Sequence, residues 1–157
     1  MNLIANISLN NCIGNGGKLV NYDREDMRRF KALTTDGVVI MGANTFRGDL
    51  HSRKLPDRVN IIITRDKGFT TTEQETFFIG DINTAINVAR SYVKPIWIIG
   101  GSSIYATLLP HVTKLFITHT NNVVNGDKYL NIDWSKWNRV NEVKLDNITF
   151  ADYDLRN

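Results

Sequence analysis

At 157 residues, with 42% apolar and 22% charged residues, the chain has the length of one domain and ordinary globular usage, which excludes a disordered, collagen-like or coiled-coil protein. Its net charge of +3 is spread along the sequence without a basic run, which suits attraction of a small anion and excludes a nucleic-acid-binding element. The lone Cys12 can form neither an internal disulfide nor a Cys-based zinc site, and no apolar run approaches ~18 residues, so no membrane span is expected. The single cysteine leads to the expectation of a reducing, cytoplasmic setting, and the opening Met-Asn-Leu-Ile-Ala-Asn has neither the basic start nor the apolar stretch expected of a signal peptide.

Leu3 to Leu9 alternates and predicts a first strand, closed by a turn at Asn10-Asn11. Gly14 to Lys18 reads as a flexible loop. Asp23 can cap a helix whose apolar stripe is Met27, Phe30 and Leu33, with Asp26 three residues on as a capping-box echo and Asp36-Gly37 as the stop. Val38 to Met41 is an apolar run of the kind found in strands buried on both faces, and Gly42-Ala43-Asn44-Thr45 then opens a short helix. Val59 to Thr64 and Phe77 to Ile79 are further strands. Asp81 to Val93 is a helix, with Ile82, Ala85, Ile86 and Ala89 on one face. Ile96 to Ile99 is a strand ended by Gly100-Gly101, followed by a helix over Ser102–Leu109 and a strand over Lys114–Thr120. The remainder reads as two or three strands with turns at Asn125-Gly126 and Asp146-Asn147. Strands alternating with helices predict an α/β fold, as one domain over residues 1–157, with a mostly parallel central sheet and an antiparallel edge.

Two junctions carry a chemical signal. Ile98-Ile99-Gly100-Gly101-Ser102-Ser103 runs a buried strand through two glycines into a helix start, where free N–H groups and the dipole favour an anion. A tight turn without a ligand explains those residues equally well. Val39-Ile40-Met41-Gly42-Ala43-Asn44-Thr45 repeats the device, and ligands of open α/β sheets lie beyond the strands' carboxyl ends. Asp26 shares a helix face with Phe30, so it is either a solvated surface acid, the commoner case, or a buried carboxylate of the kind that does acid chemistry. His51, His111 and His119 share no metal-ligand spacing. The sequence lacks Gly-x-Gly-x-x-Gly, Gly-x-Ser-x-Gly and Gly-Lys-Ser/Thr, which argues against an ordinary dinucleotide fold, a serine hydrolase and a nucleotide kinase.

Over essentially its whole length the sequence resembles dihydrofolate reductase. The resemblance is carried by Leu3-Ile4-Ala5, Ile13-Gly14, Asp26-Met27 with Phe30-Lys31, and Val39-Ile40-Met41-Gly42 with Thr45-Phe46. It continues in Leu55-Pro56-Asp57-Arg58 with Asn60-Ile61-Ile62, Ile99-Gly100-Gly101 with Ile104-Tyr105, Leu115 with Thr118-His119, and Gly126-Asp127. It implies a three-layer fold with an eight-stranded, mostly parallel sheet and about four helices. It implies NADPH as cofactor along the carboxyl edge, held by Asn6, Ile13, Gly14, Leu19, Gly42, Ala43, Asn44, Thr45, Thr64, Arg65, Ile99, Gly100, Gly101, Ser102, Ser103, Ile104 and Tyr105. The Gly100-Gly101 bond matches the family's cis peptide, and Arg65 is placed for a 2′-phosphate. Asp26 supported by Thr118, with Tyr105 packed near the nicotinamide, is the implied catalytic group. Ile4, Ala5, Met27, Phe30, Lys31 and Leu55 would wall the substrate, and Arg58 would grip its glutamate carboxylate. The implied reaction is hydride transfer to C6 of dihydrofolate and protonation of N5 through a water, supplying tetrahydrofolate to one-carbon metabolism. A small-molecule substrate, no nucleic acid, no membrane, no metal and a monomer are expected. Two alternatives keep the fold: a pyrimidine reductase of riboflavin synthesis, and a binding protein with weakened catalysis. The sequence departs from the family pattern at Val20-Asn21, where Pro-Trp is usual, at Ala43, where a basic residue is common, and in a longer Gly48–Ser52 segment.

Overall fold

The computed structural model describes all 157 residues, Met1–Asn157. In chain order the strands are β1 (Asn2–Ile7), β2 (Cys12–Asn15), β3 (Lys18–Leu19), β4 (Val38–Gly42), β5 (Val59–Ile63), β6 (Thr76–Ile79), β7 (Ile96–Gly100), β8 (Lys114–Thr120), β9 (Lys128–Tyr129), β10 (Trp137–Lys144) and β11 (Ile148–Leu155). The helices are α1 (Arg24–Thr34), α2 (Ala43–Arg47), α3 (Ile82–Ser91) and α4 (Ser102–Leu108). Eight strands form one sheet in the order β10-β11-β8-β1-β7-β4-β5-β6, and β3-β2-β9 form a small second sheet. β11 pairs antiparallel with β8 and β10, and the remaining pairs of the large sheet are parallel, as the alternation of strands and helices predicts.

The period-2 side-chain alternation divides the interior. On one face Leu3, Ala5, Ile7, Ile40, Ile61, Ile98, Leu115 and Ile117 pack with Ala85, Ile86 and Ala89 of α3 and Ile104 and Leu108 of α4. On the other, Ile4, Val39, Met41, Ile62 and Trp97 pack with Phe46 of α2 and Phe30 and Leu33 of α1. The result is three layers: helices, sheet, helices. No helix is long and apolar enough to cross a membrane.

Three local expectations are corrected. The first strand stops at Ile7, because Ser8 to Asn11 close a turn in which the Asn11 N–H donates to Ser8 O and Asn11 has φ 64°. Gly14 to Lys18 is not a free loop. β2 and β3 pair across Gly16 and Gly17, whose φ values of 60° and 81° make the reversal, and the Gly16 N–H donates to the Asp127 carboxylate at 3.3 Å. Asp23 caps α1 through the Glu25 and Asp26 N–H groups, yet the Asp26 side chain does not return the bond and is directed elsewhere.

Candidate active site

The carboxyl ends of β1, β4 and β7 open on a cleft of about 280 Å³. Two helices start at its wall, and their caps set them apart. α1 and α3 are capped by the side chains of Asp23 and Asp81. α2 and α4 begin after Gly42 and Gly101, with no side-chain cap. Their first N–H groups therefore remain without a side-chain acceptor, and Ala43, Asn44 and Thr45 on one helix and Ser102, Ser103 and Ile104 on the other line the cleft.

Gly100 is required by conformation. Its φ of 116° is closed to most side chains, and a Cβ there would lie 3.2 Å from the Tyr105 hydroxyl. A Cβ on Gly42 would press Ile104 Cγ1 at 3.0 Å. At Gly101 the only neighbour would be Thr45 Oγ1 at 3.5 Å, so the space beside that residue is cleft. The Gly100-Gly101 peptide is cis.

Asn6, Ile13, Gly14, Leu19, Ile99 and Tyr105 complete the expected lining, and Ala5, assigned to the substrate by resemblance, lies in the same wall. Thr64 and Arg65 do not line the cleft. Arg65 stands exposed just beyond β5, its Cγ near Gly80, and its charge helps hold the Asp81 carboxyl below its ordinary value, after the two hydrogen bonds from Thr84. Gly17, Lys18, Asp49, Ile63 and Lys128 also line the cleft and were not anticipated. Burial pushes the Asp49 carboxyl up, opposed by the Leu19 N–H and by His51. Lys18 and Lys128 come from the small sheet, which brings two cations to a wall where Ala43 supplies none.

Tyr105 is 5% exposed and its hydroxyl donates to the Ile4 carbonyl at 2.7 Å. Burial, with the charges of Asp26 and Asp49, pushes its phenol well above its ordinary value. With its proton committed to Ile4, Tyr105 enters the site as a wall and a backbone tie.

Asp26 is half-buried. Thr118 Oγ1 donates to its Oδ1, and Asn6 Nδ2 donates to its Oδ2 at 3.1 Å. Met27 is 40% exposed at the helix margin, and the carboxylate faces two donors on β1 and β8. Ile4, Phe30 and Leu55 belong to one apolar cluster next to it. Lys31 is exposed on α1.

Arg58 is 8% exposed. Its Nε donates to Pro56 O at 2.9 Å and its Nη1 to Thr34 Oγ1 at 3.0 Å. Two of the five guanidinium N–H groups are thereby fixed and the others remain for a ligand. Burial lowers its basicity and Asp57 restores part of it. Asn60, fully buried, bonds the Leu55 N–H and accepts no other partner; its Nδ2 donates to Leu55 O and Arg58 O. A polar residue inside the run Val-Asn-Ile-Ile-Ile was the signal that would have exposed this clamp.

At Asn21 the structure places a buried amide whose Oδ1 accepts from Asn122 Nδ2 at 2.9 Å, while its own Nδ2 has no partner. The Gly48–Ser52 segment turns through His51 and Ser52 at φ 52° and 58°, and Asp49 ties it to Leu19.

A family model described as dihydrofolate reductase matches residues 1–156. The dihydrofolate reductase of Haemophilus influenzae is 30% identical over 159 residues, spanning 98% of this chain and 93% of that protein. The dihydrofolate reductase of Buchnera aphidicola from Acyrthosiphon pisum is 34% identical over 129 residues, spanning 82% and 77%. Among solved structures, the dihydrofolate reductase of Enterococcus faecalis complexed with NADP(H) and RAB-propyl matches with a TM-score of 0.87 at 25% identity, covering 99% of this chain and 96% of that one.

Proposed function

The chain belongs to the dihydrofolate reductase family of NADPH-dependent oxidoreductases, and we propose that it reduces 7,8-dihydrofolate to 5,6,7,8-tetrahydrofolate. The observation that carries this reading is the Asp26 carboxylate, anchored by Thr118 and Asn6 beside the apolar group of Ile4, Phe30 and Leu55. An anchored carboxylate keeps lone pairs free for a ligand that offers two parallel N–H groups, as the amino group and ring nitrogen of a pterin do.

NADPH, when bound, supplies the hydride for C6. The cleft fits such a cofactor: the side chain-free Gly101, the uncapped starts of α2 and α4, and Lys18 and Lys128 suit its phosphates, while Arg65, exposed beyond β5 and outside the cleft lining, would meet a 2′-phosphate. Ile13, Gly14 and Tyr105 would bound the nicotinamide end. Ile4, Met27, Phe30, Lys31 and Leu55 would hold the pterin and aryl rings, and Arg58 the glutamate carboxylate.

In the overall step the substrate gains a hydride at C6 and one proton at N5. Asp26 holds the pyrimidine edge of the pterin, and water brings the proton to N5. Asn21 and Asn122 provide polar groups where the family's pattern has an indole. We place the enzyme in the cytoplasm as a one-domain monomer; the lone Cys12 is buried and free, which suits a reducing compartment. The test is NADPH oxidation, followed spectrophotometrically with dihydrofolate. Turnover that requires both compounds supports the reading, and its absence overturns it.

A further inference from the structure

We propose that Asn6 is a positioning residue for the Asp26 carboxylate, with Thr120 fixing which end of its amide faces the acid. The inference rests on the reading of Asp26 as the pterin-binding acid.

Asn6 lies in β1 and registers opposite Thr118 in the parallel strand β8. Asn6, Thr118 and Thr120 therefore point to the α1 side of the sheet, the side on which Ile4 and Phe116 are apolar. The polarity of that face changes where Asp26 meets it. Asn6 Nδ2 donates to Asp26 Oδ2 at 3.1 Å, and Thr120 Oγ1 donates to Asn6 Oδ1 at 2.5 Å. With Thr118 on Oδ1, two strands deliver one donor to each carboxylate oxygen.

The direction of the amide follows from donor inventory. An ionised carboxylate only accepts, so the amide must present its NH2 to Asp26, and its oxygen is left for the Thr120 hydroxyl. A flipped amide would set oxygen against oxygen and leave the hydroxyl with no acceptor. The torsion of a carboxylate about its last bond is broad and soft. A donor on each oxygen removes that freedom and leaves one acceptor direction per oxygen. Those two directions meet a bidentate N–H pair without reorganisation. Resemblance assigns Asn6 to the cofactor, and the residue does border the cleft, but its side-chain hydrogen bonds run to Asp26 and Thr120.

The test separates the two ligands. In Asn6→Ala the dissociation constant for dihydrofolate should rise roughly ten- to a hundredfold, the loss expected for a hydrogen bond to a charged group, and hydride transfer should slow, while the NADPH dissociation constant stays within about twofold. Thr120→Val should give a smaller loss of the same kind, Thr120→Ser should restore wild-type values, and the double variant Asn6→Ala/Thr120→Val should be no worse than Asn6→Ala, because both act through one amide. The Thr120 variants keep the test open should Asn6→Ala fail to fold. Equal weakening of NADPH and dihydrofolate, or additive losses in the double variant, would overturn the proposal. So would a wild-type enzyme that reduces dihydrofolate beside an Asn6→Ala variant that does so equally well. A wild-type protein that neither binds nor reduces dihydrofolate would instead overturn the functional reading on which the proposal rests.

Discussion

Asn60 holds both backbone groups of Leu55: the Leu55 N–H donates to Asn60 Oδ1 and Asn60 Nδ2 donates to Leu55 O, each at 2.9 Å. The same amide also donates to Arg58 O at 3.0 Å, so one side chain on β5 shapes the whole Leu55–Arg58 turn. Asp57 sits in that turn at φ 60°, a conformation that needs outside support. Asn60→Ala should cost about 1–3 kcal/mol in denaturant unfolding, the penalty for unpaired buried backbone groups. It should also raise KM for dihydrofolate, because Leu55 and Arg58 lose their placement together. An unchanged KM in a destabilised variant would confine Asn60 to the fold.

Arg58 has a tie to Thr34 through Nη1 and a tie to Pro56 through Nε, which leaves Nη2 and one Nη1 N–H free. Arg58→Leu should raise KM for dihydrofolate about ten- to a hundredfold, the value of a charge-assisted carboxylate contact. A pterin without the glutamate should bind nearly as well as to the wild type. Equal losses for both ligands would show that Arg58 works only through Thr34 and Pro56.

The order of strands and the two glycine junctions were legible because each is local. A buried run, a glycine and a helix start fall within eight residues at Gly42 and again at Gly100. The hairpin at Gly16-Gly17 was not legible: strands of 4 and 2 residues are too short to show a period, and two glycines read as a loop. Around Asp26, Thr118 was reached only through the family resemblance, and the Asn6 donor was not legible at all. The two donors lie 20 residues away at Asn6 and 92 residues away at Thr118, and only the β1–β8 register unites them. Lys18 and Lys128 reach the cleft through the small sheet, so no sequence pattern links them.

Arg65 is exposed and its charge acts on the Asp81 carboxyl, itself occupied with Thr84. A 2′-phosphate would give it a stronger partner. Arg65→Ala should cut the preference for NADPH over NADH by about tenfold or more, measured as the ratio of kcat/KM values. An unchanged ratio would remove Arg65 from cofactor selection.

His119 reports on stability. Its Nε2 lies 2.8 Å from the Tyr153 hydroxyl, and that hydroxyl accepts from Arg139 at 2.6 Å. Burial first, then the Arg139 charge, lowers its pKa from 6.5 to about 4, against the opposing pull of Glu142. Between those values the unfolded chain binds a proton that the folded chain refuses, so stability is complete above 6.5 and falls as the pH drops toward 4. His119→Gln should flatten the dependence of Tm on pH across that window. A slope unchanged by the substitution would assign the acid sensitivity to other groups.

Asp26→Asn keeps the shape of the side chain and removes its charge. Thr118 can rotate its hydroxyl and accept from the new amide, but the Asn6 NH2 can only donate, so the amide oxygen of the variant must turn to Asn6. One acceptor direction then faces a substrate that presents two N–H groups, and the negative charge that draws a protonated pterin is gone. The cleft wall at Gly42, Gly100 and Ser102 is untouched, so NADPH should bind as before. Dihydrofolate reduction at neutral pH should fall by roughly two orders of magnitude or more, through loss of a charge-assisted contact and of the charge that favours the protonated pterin. Part of the rate should return at acidic pH, where the substrate already carries its proton. Pre-steady-state hydride transfer, followed by NADPH absorbance over a range of pH, measures both effects. A variant with near-normal turnover at neutral pH would reduce Asp26 to a structural partner of Thr118 and Asn6, and the mechanism would fail with it.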